Sequence, residues 1–355
     1  MTGPLTTFPA TALLTAAFTH LSRLSDDTAL FEHARYATPR REHGYCLDDV
    51  ARGLVVLCRD EDPDRYSFAH GVGNADRLTE RYLAFTTHAQ SPDGRFHNRM
   101  AVHRRWQDEP GLGDCWGRAL WGLGTAAIRS PLAWVRESAE HAFAVSARQR
   151  SPWPRAMAFA GLGAAEILAA HPGDQAAADL LADAAGTIAR SEPGADWPWP
   201  EQRLTYANAV LPEVLIAAGR HLHDDEAREY GLELLDWLLE TETSAGRLSP
   251  TGSGGWSAGE PRPCFDQQPI EAAALADACA RAYAVSGDER WLCGVDRAVG
   301  WFLGENDADA ALHDPHTGGG YDGLSADGPN ANQGAESTLA LISTLQQAVA
   351  CGRAR

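Results

Sequence analysis

Apolar positions recur along the chain with a helical period, and two kinds of helix alternate. Pro9 to Ser25 places Leu14, Phe18 and Leu21 on one face with polar residues between them, which predicts an amphipathic helix. The next helical segment, Asp48 to Cys58, is largely apolar on all sides, which is typical of a helix buried all round. The alternation continues to the end of the chain and predicts six helix pairs.

Twelve helical segments follow from this pattern. The amphipathic ones are predicted at 9–25, 72–88, 131–149, 174–190, 224–242 and 288–303. The more buried ones are predicted at 48–58, 114–128, 154–170, 205–218, 269–285 and 336–350, with Pro212 as an expected kink in the fourth. Alternating burial in a repeat is expected for two concentric rings of helices. We therefore predict an all-α fold, an (α/α)6 barrel or toroid, formed by one domain over residues 1–355.

The predicted links between helices differ in length according to their direction. Links from a buried helix to the next amphipathic helix are mostly short. Links in the other direction are long and cover 26–47, 89–113, 192–204, 243–268 and 304–335. Links of one direction lie at one end of such a barrel, so the long loops should crowd one mouth, where the inner helices start. Long loops inside compact domains are usually functional.

Acidic residues stand at the starts of several inner helices. Asp48 and Asp49 are adjacent, so on a helix they point about 100° apart and at most one of them reaches a ligand directly. The partner of a catalytic pair must then come from another helix start. We expect Asp48 or Asp49 to face Asp266 or Glu336 across the mouth, with Asp114 as a further candidate catalytic carboxylate.

Aromatic, amide and basic residues occur at the same helix starts and in the same loops. Trp and Tyr stack on the apolar face of a sugar ring, polar side chains bind its hydroxyls, and carboxylates act as general acid and base on a glycosidic bond. The candidate substrate-binding residues are His43, Tyr45, Arg52, His97, Arg99, Trp106, Trp116, Arg118, Trp197, Trp199, Tyr206, Gln267, Gln268, Glu271, Tyr321, Asn332 and Gln333.

Structural roles compete with these functional ones. An acid at a helix start often accepts backbone N–H bonds or pairs with a neighbouring charge, which applies equally to Asp114, Asp266 and Glu336. Glu271, two residues after Pro269, fits the third position of a helix start without any catalytic role.

Two aromatic residues and two amide-rich stretches support different interpretations. Trp197 and Trp199, set between prolines, fit a packed loop as well as a sugar platform. The stretches DQQP and NQGAES carry too many donors and acceptors to be buried without cost, which favours a polar ligand or water as their partner.

Composition excludes several classes of function. The formal net charge of -18 argues against a nucleic-acid partner. The chain has no lysine, which excludes Schiff-base chemistry and a P-loop lysine. Neither the seven cysteines nor the histidines have metal-ligand spacing, so we expect no metal and no cofactor. With no signal peptide and no membrane span visible, we expect a cytoplasmic protein without a membrane partner.

The stretches HGYCLDDVARGL, LGDCWGRALWGLG, FDQQPIEA and NQGAESTLA resemble those of a bacterial group within the six-hairpin glycosidase-like superfamily. Proteins of this group are often labelled glycosyltransferases and occur beside, or fused to, glycosyltransferase domains and carbohydrate-degrading enzymes. The resemblance covers most of the chain and implies the (α/α)6 toroid and work on a carbohydrate. The strand–helix alternation of a nucleotide-sugar-binding domain is not seen in this sequence.

These observations predict a glycoside hydrolase that acts on an oligo- or polysaccharide with two carboxylates at the barrel mouth, and we expect inversion at the anomeric carbon. A sugar epimerase or isomerase on the same barrel is an alternative, and it would need His43 or His97 to face the cavity centre. A non-catalytic glycan-binding module that serves a glycosyltransferase is the other alternative.

Overall fold

The computed structural model describes residues 10–59, 75–190 and 196–353, which form twelve helices. The amphipathic helices are α1 (Ala10–Arg23), α3 (Ala75–Ala89), α5 (Ala133–Ser146), α7 (Gln175–Gly186), α9 (Asp225–Thr241) and α11 (Arg290–Leu303). The more deeply buried helices are α2 (Leu47–Cys58), α4 (Asp114–Arg129), α6 (Pro154–Ala170), α8 (Val210–His221), α10 (Pro269–Ser286) and α12 (Ala335–Ala350).

The buried helices form a closed inner ring. In this ring α2 packs on α4, α4 on α6, α6 on α8, α8 on α10, α10 on α12, and α12 returns to α2. Outer helices cover the grooves between them: α7 contacts α6 and α8, and α11 contacts α10 and α12. This arrangement confirms the predicted (α/α)6 barrel.

Small residues let the inner helices approach one another closely. A Cβ added to Gly124 of α4 would lie 2.3 Å from the carbonyl oxygen of Gly163 in α6, and one added to Gly117 would lie 2.1 Å from that of Ala156. Neither position can take a side chain without moving backbone in a close-packed interior. The glycines of the inner helices therefore set the spacing of the ring.

Helix α8 begins later than predicted. The sequence pattern placed its start at residue 205, but the helix begins at Val210, because Ala207 has a left-handed φ of +45°. Pro212 lies in the first turn, where its missing N–H costs no helical hydrogen bond, so it is not the predicted kink. The predicted starts at residues 9 and 72 lie outside the described residues.

Short antiparallel strands connect the long loops. Three hairpins lie within single loops: β1 (Ala34–Arg35) with β2 (Thr38–Pro39), β6 (Thr243–Ser244) with β7 (Arg247–Leu248), and β9 (Leu324–Ser325) with β10 (Gly328–Pro329). Two further pairs join different loops: β3 (Tyr45–Cys46) with β4 (Arg99–Met100), and β5 (Arg203–Leu204) with β8 (Trp256–Ser257). These pairings fix the loops against one another around the mouth. In the part of the chain that the structure describes, no helix is long and apolar enough to cross a bilayer.

Candidate active site

A cavity of about 340 Å³ opens at the mouth, beside the starts of α2, α10 and α12. Its walls are mostly polar and carry acids, arginines and amides from four loops and from the starts of α2 and α12. The lining residues are Glu32, His33, Cys46, Asp48, Asp49, Arg52, Asn98, Arg99, Gln268, Asp322, Gly334, Glu336 and Ser337.

Arg52 is the centre of this cavity. One nitrogen of its buried guanidinium, Nη2, donates to Oδ1 of Asp49 at 2.5 Å, to Oε2 of Glu336 at 3.2 Å and to Oδ2 of Asp48 at 3.3 Å. Asp48 and Asp49 precede Arg52 by four and three residues on α2, which places all three on one side of the helix. The two adjacent aspartates therefore both bind the same nitrogen of Arg52.

These distances limit how far apart the carboxylates are. The bonded oxygens of Asp49 and Glu336 cannot be farther apart than the sum of their distances to Nη2, about 5.7 Å. For Asp48 and Glu336 the same limit is about 6.5 Å. Inverting glycosidases hold their two carboxyls about 6.5–9.5 Å apart, and retaining ones about 5–5.5 Å. The expected inversion therefore does not fit Asp49 with Glu336, and Asp48 with Glu336 reaches only its lower limit.

A second buried arginine fixes Asp48. Arg118, one turn into α4, forms an ion pair with Asp48. Its guanidinium also lies over the ring of Phe159, 4.6 Å from the centroid. Asp48 is thus bound between two arginines from neighbouring inner helices.

Asp49 is the most deeply buried acid of the cluster. Burial, opposed by the charge of Arg52 and reinforced by Asp48, Glu336 and Glu32, raises the pKa of Asp49 to about 8. Its side chain is only 5% exposed, whereas that of Glu336 is 42% exposed. At neutral pH the cavity therefore offers a carboxyl that keeps its proton beside the more accessible side chain of Glu336.

Several residues that line the cavity are not among the candidates predicted from the sequence. Arg99 of β4 pairs with Glu32, while the side-chain oxygen of Asn98 accepts from Cys46 and from the backbone N–H of Asp48. Pairing of β3 with β4 brings the residues of these two loops together, and a contact between two-residue strands leaves no periodic signal in the sequence. Glu32, His33, Cys46 and Asn98 were missed for this reason.

Asp322 is the other missed acid. Its Oδ1 accepts from the N–H of Gly334 and from Oγ of Ser337, each at 2.7 Å, so it binds the start of α12 from within the loop that leads into this helix. Burial raises the pKa of Asp322. The acid fixes the segment that carries Glu336.

Three residues of the wall have the donor atoms of a metal site. One atom each from Glu32, Cys46 and Asp49 lies within 4.8 Å of the others. Glu32 and Asp49 are, however, already paired with Arg99 and Arg52, and burial raises the pKa of the Cys46 thiol well above its usual range. A cation would have to displace both arginines and a thiol proton, so this set does not fit a resident metal.

Apolar side chains close the cavity from below. Beneath Arg52 lies a space of about 40 Å³, lined among others by Val55, Trp121, Phe159 and Leu339. The walls of this space are mostly apolar, unlike those of the mouth cavity.

A second polar group lies farther round the mouth, on α4, α6 and the loop before α8. Tyr206 donates from Oη to Asp114 at 2.7 Å, and its ring lies over the guanidinium of Arg155. Glu271 lies beneath and accepts from the backbone N–H groups of Ala207 and Asn208. Asp114 and Tyr206 thus face the mouth, while Glu271 is a buried support for their loop.

The amide-rich stretches are satisfied mainly by the protein. Gln267 bonds to Trp301 and Asp307, and Gln333 bonds to Asp314 and Thr317, so protein side chains take the place of the expected polar ligand or water. Asn332 accepts from the N–H of Tyr36, and Gln268 lines the cavity. Asp266 is exposed beside Gln268 and does not line the cavity.

Most of the predicted aromatic residues pack inside the protein. Tyr45, Trp116 and Trp199 are buried, Tyr321 is half-buried, Trp106 stacks on His97, and Trp197 packs on Trp237 and Trp256. His43 packs edge-on against His33, and neither His43 nor His97 lines the cavity.

Solved structures with a similar fold include carbohydrate-active enzymes of the six-hairpin class. A sugar epimerase from a ruminal bacterium has a TM-score of 0.70 at 12% identity, covering 96% of this chain and 99% of its own. A GH76 α-mannanase from Bacteroides thetaiotaomicron has a TM-score of 0.67 at 11% identity, covering 98% and 97%. Cellobiose 2-epimerase from Spirochaeta thermophila has a TM-score of 0.67 at 13% identity, covering 96% and 97%. The sequence matches no family model and no curated protein.

Proposed function

We propose that this protein is a glycoside hydrolase that cleaves an oligo- or polysaccharide by general acid/base catalysis in the mouth cavity. The observation that carries the proposal is the convergence of Asp48, Asp49 and Glu336 on one nitrogen of Arg52. A buried acid with a raised pKa next to an accessible carboxylate is the pairing that glycosidic cleavage requires.

The two reacting carboxyls have different roles. Asp49 donates its proton to the glycosidic oxygen, so that the leaving sugar departs as an alcohol. Glu336, which accepts from the same nitrogen of Arg52, attacks the anomeric carbon and forms a glycosyl ester. Water then cleaves this ester while Asp49 takes up the water's proton, which returns both carboxyls to their starting states.

The arginines position these groups. Arg52 holds Asp49 and Glu336 at a fixed spacing, and Arg118 holds Asp48 at the edge of the same cluster. Asp48 contacts both arginines and adds negative charge beside the reacting centre, where an oxocarbenium-like transition state develops positive charge. The fold is shared with an α-mannanase, which supports work on a glycan.

His33 favours a second candidate, a sugar epimerase. It is the histidine that lines the cavity among the described residues, and its Nε2 lies 3.6 Å from Glu32. A histidine base in this position suits removal of a proton next to a sugar carbonyl. Two of the structural neighbours described above are epimerases of this fold.

Incubation of the purified protein with a broad panel of bacterial and plant oligosaccharides tests the proposal. Smaller products identify a hydrolase, a product of unchanged mass identifies an epimerase, and binding without turnover identifies a glycan-binding module. Asp49→Asn and Glu336→Gln should each lower kcat by about 100-fold or more. Asp266→Asn is the matched control and should retain activity, because Asp266 lies outside the cavity. A panel left uncut by the wild-type protein would refute hydrolysis.

A further inference from the structure

Tyr206 is an exposed aromatic residue that is held unusually firmly. It is 44% exposed, yet its Oη donates to Asp114 at 2.7 Å and its ring lies 4.9 Å from the guanidinium carbon of Arg155. Nε of Arg155 also donates to the carbonyl oxygen of Tyr206 at 2.6 Å. Side chain and backbone are therefore fixed by the same arginine.

The backbone after Tyr206 is constrained as well. Ala207 has a φ of +45°, a conformation that few residues other than glycine adopt. The carboxylate of Glu271 accepts from the N–H of Ala207 at 2.5 Å and from the N–H and side-chain amide of Asn208 at 3.2 and 3.1 Å. A buried acid and a strained residue thus present one tyrosine ring to solvent, and such strain clusters at ligand-binding positions.

This ring lies along the mouth from the catalytic cluster. Asp114, which binds Tyr206, is one turn before Arg118 on α4, about 6 Å along the helix axis. Arg118 in turn pairs with Asp48. A row of polar groups therefore leads from Arg52 to Tyr206. Trp153, two residues before Arg155 and 62% exposed, is a second aromatic residue at the start of α6.

We infer that Tyr206 and Asp114 form a separate sugar-binding subsite, so that the substrate is an oligosaccharide chain rather than a monosaccharide glycoside. The cavity, at about 340 Å³, is at the lower end of the about 300–1,000 Å³ typical of small-molecule sites, so the rest of a longer glycan must lie outside it. The ring of Tyr206 stacks on the apolar face of a distal sugar, and Asp114 accepts from its hydroxyls. This inference rests on the proposed function, because it places that substrate across the same mouth.

Calorimetric titration of the full chain with gluco- and manno-oligosaccharides of one to five units tests the subsite. The titrations use Glu336→Gln to prevent turnover. Affinity should rise with chain length, and adding Tyr206→Ala should weaken binding of the tetrasaccharide about 10-fold while changing that of the monosaccharide less than twofold. Tyr206→Phe keeps the ring and should show a smaller loss. Thermal unfolding of each variant verifies that it is folded.

Trp134→Ala is the matched control, because Trp134 is 48% exposed on the outer helix α5. The inference is overturned if no sugar of the series binds, if affinity is independent of length, or if Tyr206→Ala binds as Trp134→Ala does. Length-dependent binding that needs Tyr206, without cleavage by the wild-type protein, would retain the subsite and refute hydrolysis. Cleavage without dependence on Tyr206 would refute the subsite alone.

Discussion

Arg52 and Asp49 are joined by a hydrogen bond of 2.5 Å inside the inner ring, although burial raises the pKa of Asp49 to about 8. An ion pair with arginine lowers the pKa of an acid, whereas loss of hydration and neighbouring acids raise it. At this position burial outweighs the arginine, and the neighbouring acids Asp48, Glu336 and Glu32 raise the pKa of Asp49 further. The pair therefore consists of a carboxyl that keeps its proton at neutral pH and an arginine that holds this carboxyl in place.

The first prediction concerns how stability depends on pH. A carboxyl with a pKa of about 8 in the folded state and about 3.9 in the unfolded state holds its proton only when folded across that interval. The carboxyl of Asp49 therefore contributes its whole share of the free energy of unfolding below about pH 4. This share is lost as the pH rises to about 8, by at most about 1.4 kcal/mol per pH unit. Asp49→Asn should remove this contribution, so the variant should gain stability relative to wild type from pH 5 to pH 8.

Denaturant unfolding of both proteins at several pH values measures this difference. Burial also raises the pKa of Glu213 to about 7 and of Glu271 to about 8, so the wild-type curve falls for several reasons. The comparison with Asp49→Asn isolates the contribution of Asp49. A stability difference that stays constant with pH would contradict the raised pKa.

The second prediction concerns Arg52 as an electrostatic anchor. Replacing it by Met leaves Asp48, Asp49 and Glu336 without their common partner, and breaking such a buried pair costs about 3–5 kcal/mol. Arg52→Lys restores the charge but not the fork of donors, so its stability should lie between those of wild type and Arg52→Met.

Urea midpoints at constant slope give these free energies. Arg150→Met is the control, because the pair of Arg150 with Asp183 is on the surface and should contribute less than about 1 kcal/mol. Equal losses for Arg52→Met and Arg150→Met would show that Arg52 is not an anchor.

Local periodicity was enough to predict the rings of helices, but contacts between distant loops were not predictable from it. Alternating burial placed α6 at its observed bounds, because each inner helix is apolar around most of its surface. The start of α8 was not predictable, because Glu271 on another helix accepts hydrogen bonds from the backbone N–H groups of Ala207 and Asn208. The helix therefore begins only at Val210. The same limitation applies to Gln267, whose amide finds its partners in Trp301 and Asp307.

In the candidate site, too, local features were predictable from the sequence and contacts between distant segments were not. Asp48, Asp49 and Glu336 could be selected because a charge at the start of a buried helix needs a partner. The pairing of Asp48 and Asp49 with Arg52 follows from their spacing on α2. That Glu336 shares the same arginine depends on the distance between α2 and α12, which the sequence pattern does not contain.

The third prediction distinguishes a structural acid from a binding one. Glu271 was selected from the sequence as a substrate-binding residue, but it accepts three hydrogen bonds from Ala207 and Asn208. Glu271→Ala leaves these buried donors unpaired and should destabilise the protein by about 2–4 kcal/mol. Glu271→Gln keeps an acceptor oxygen and should cost less. Thermal unfolding and KM together test the role, and a large rise in KM without loss of stability would identify direct substrate binding instead.

The last prediction is the stereochemical outcome of cleavage. The Arg52-bonded oxygens of Asp49 and Glu336 are at most about 5.7 Å apart, which leaves too little room for the water that inverting enzymes hold between the general base and the anomeric carbon. We therefore expect retention, through a glycosyl ester on Glu336. Proton NMR of the first product, recorded before mutarotation, should show the anomer of the substrate. Azide should also rescue cleavage of an activated aryl glycoside by Glu336→Ala and give a glycosyl azide of inverted configuration, since the small anion occupies the space of the missing carboxylate. An inverted first product from the wild-type protein would exclude this pair and move the second carboxylate to a position farther across the mouth.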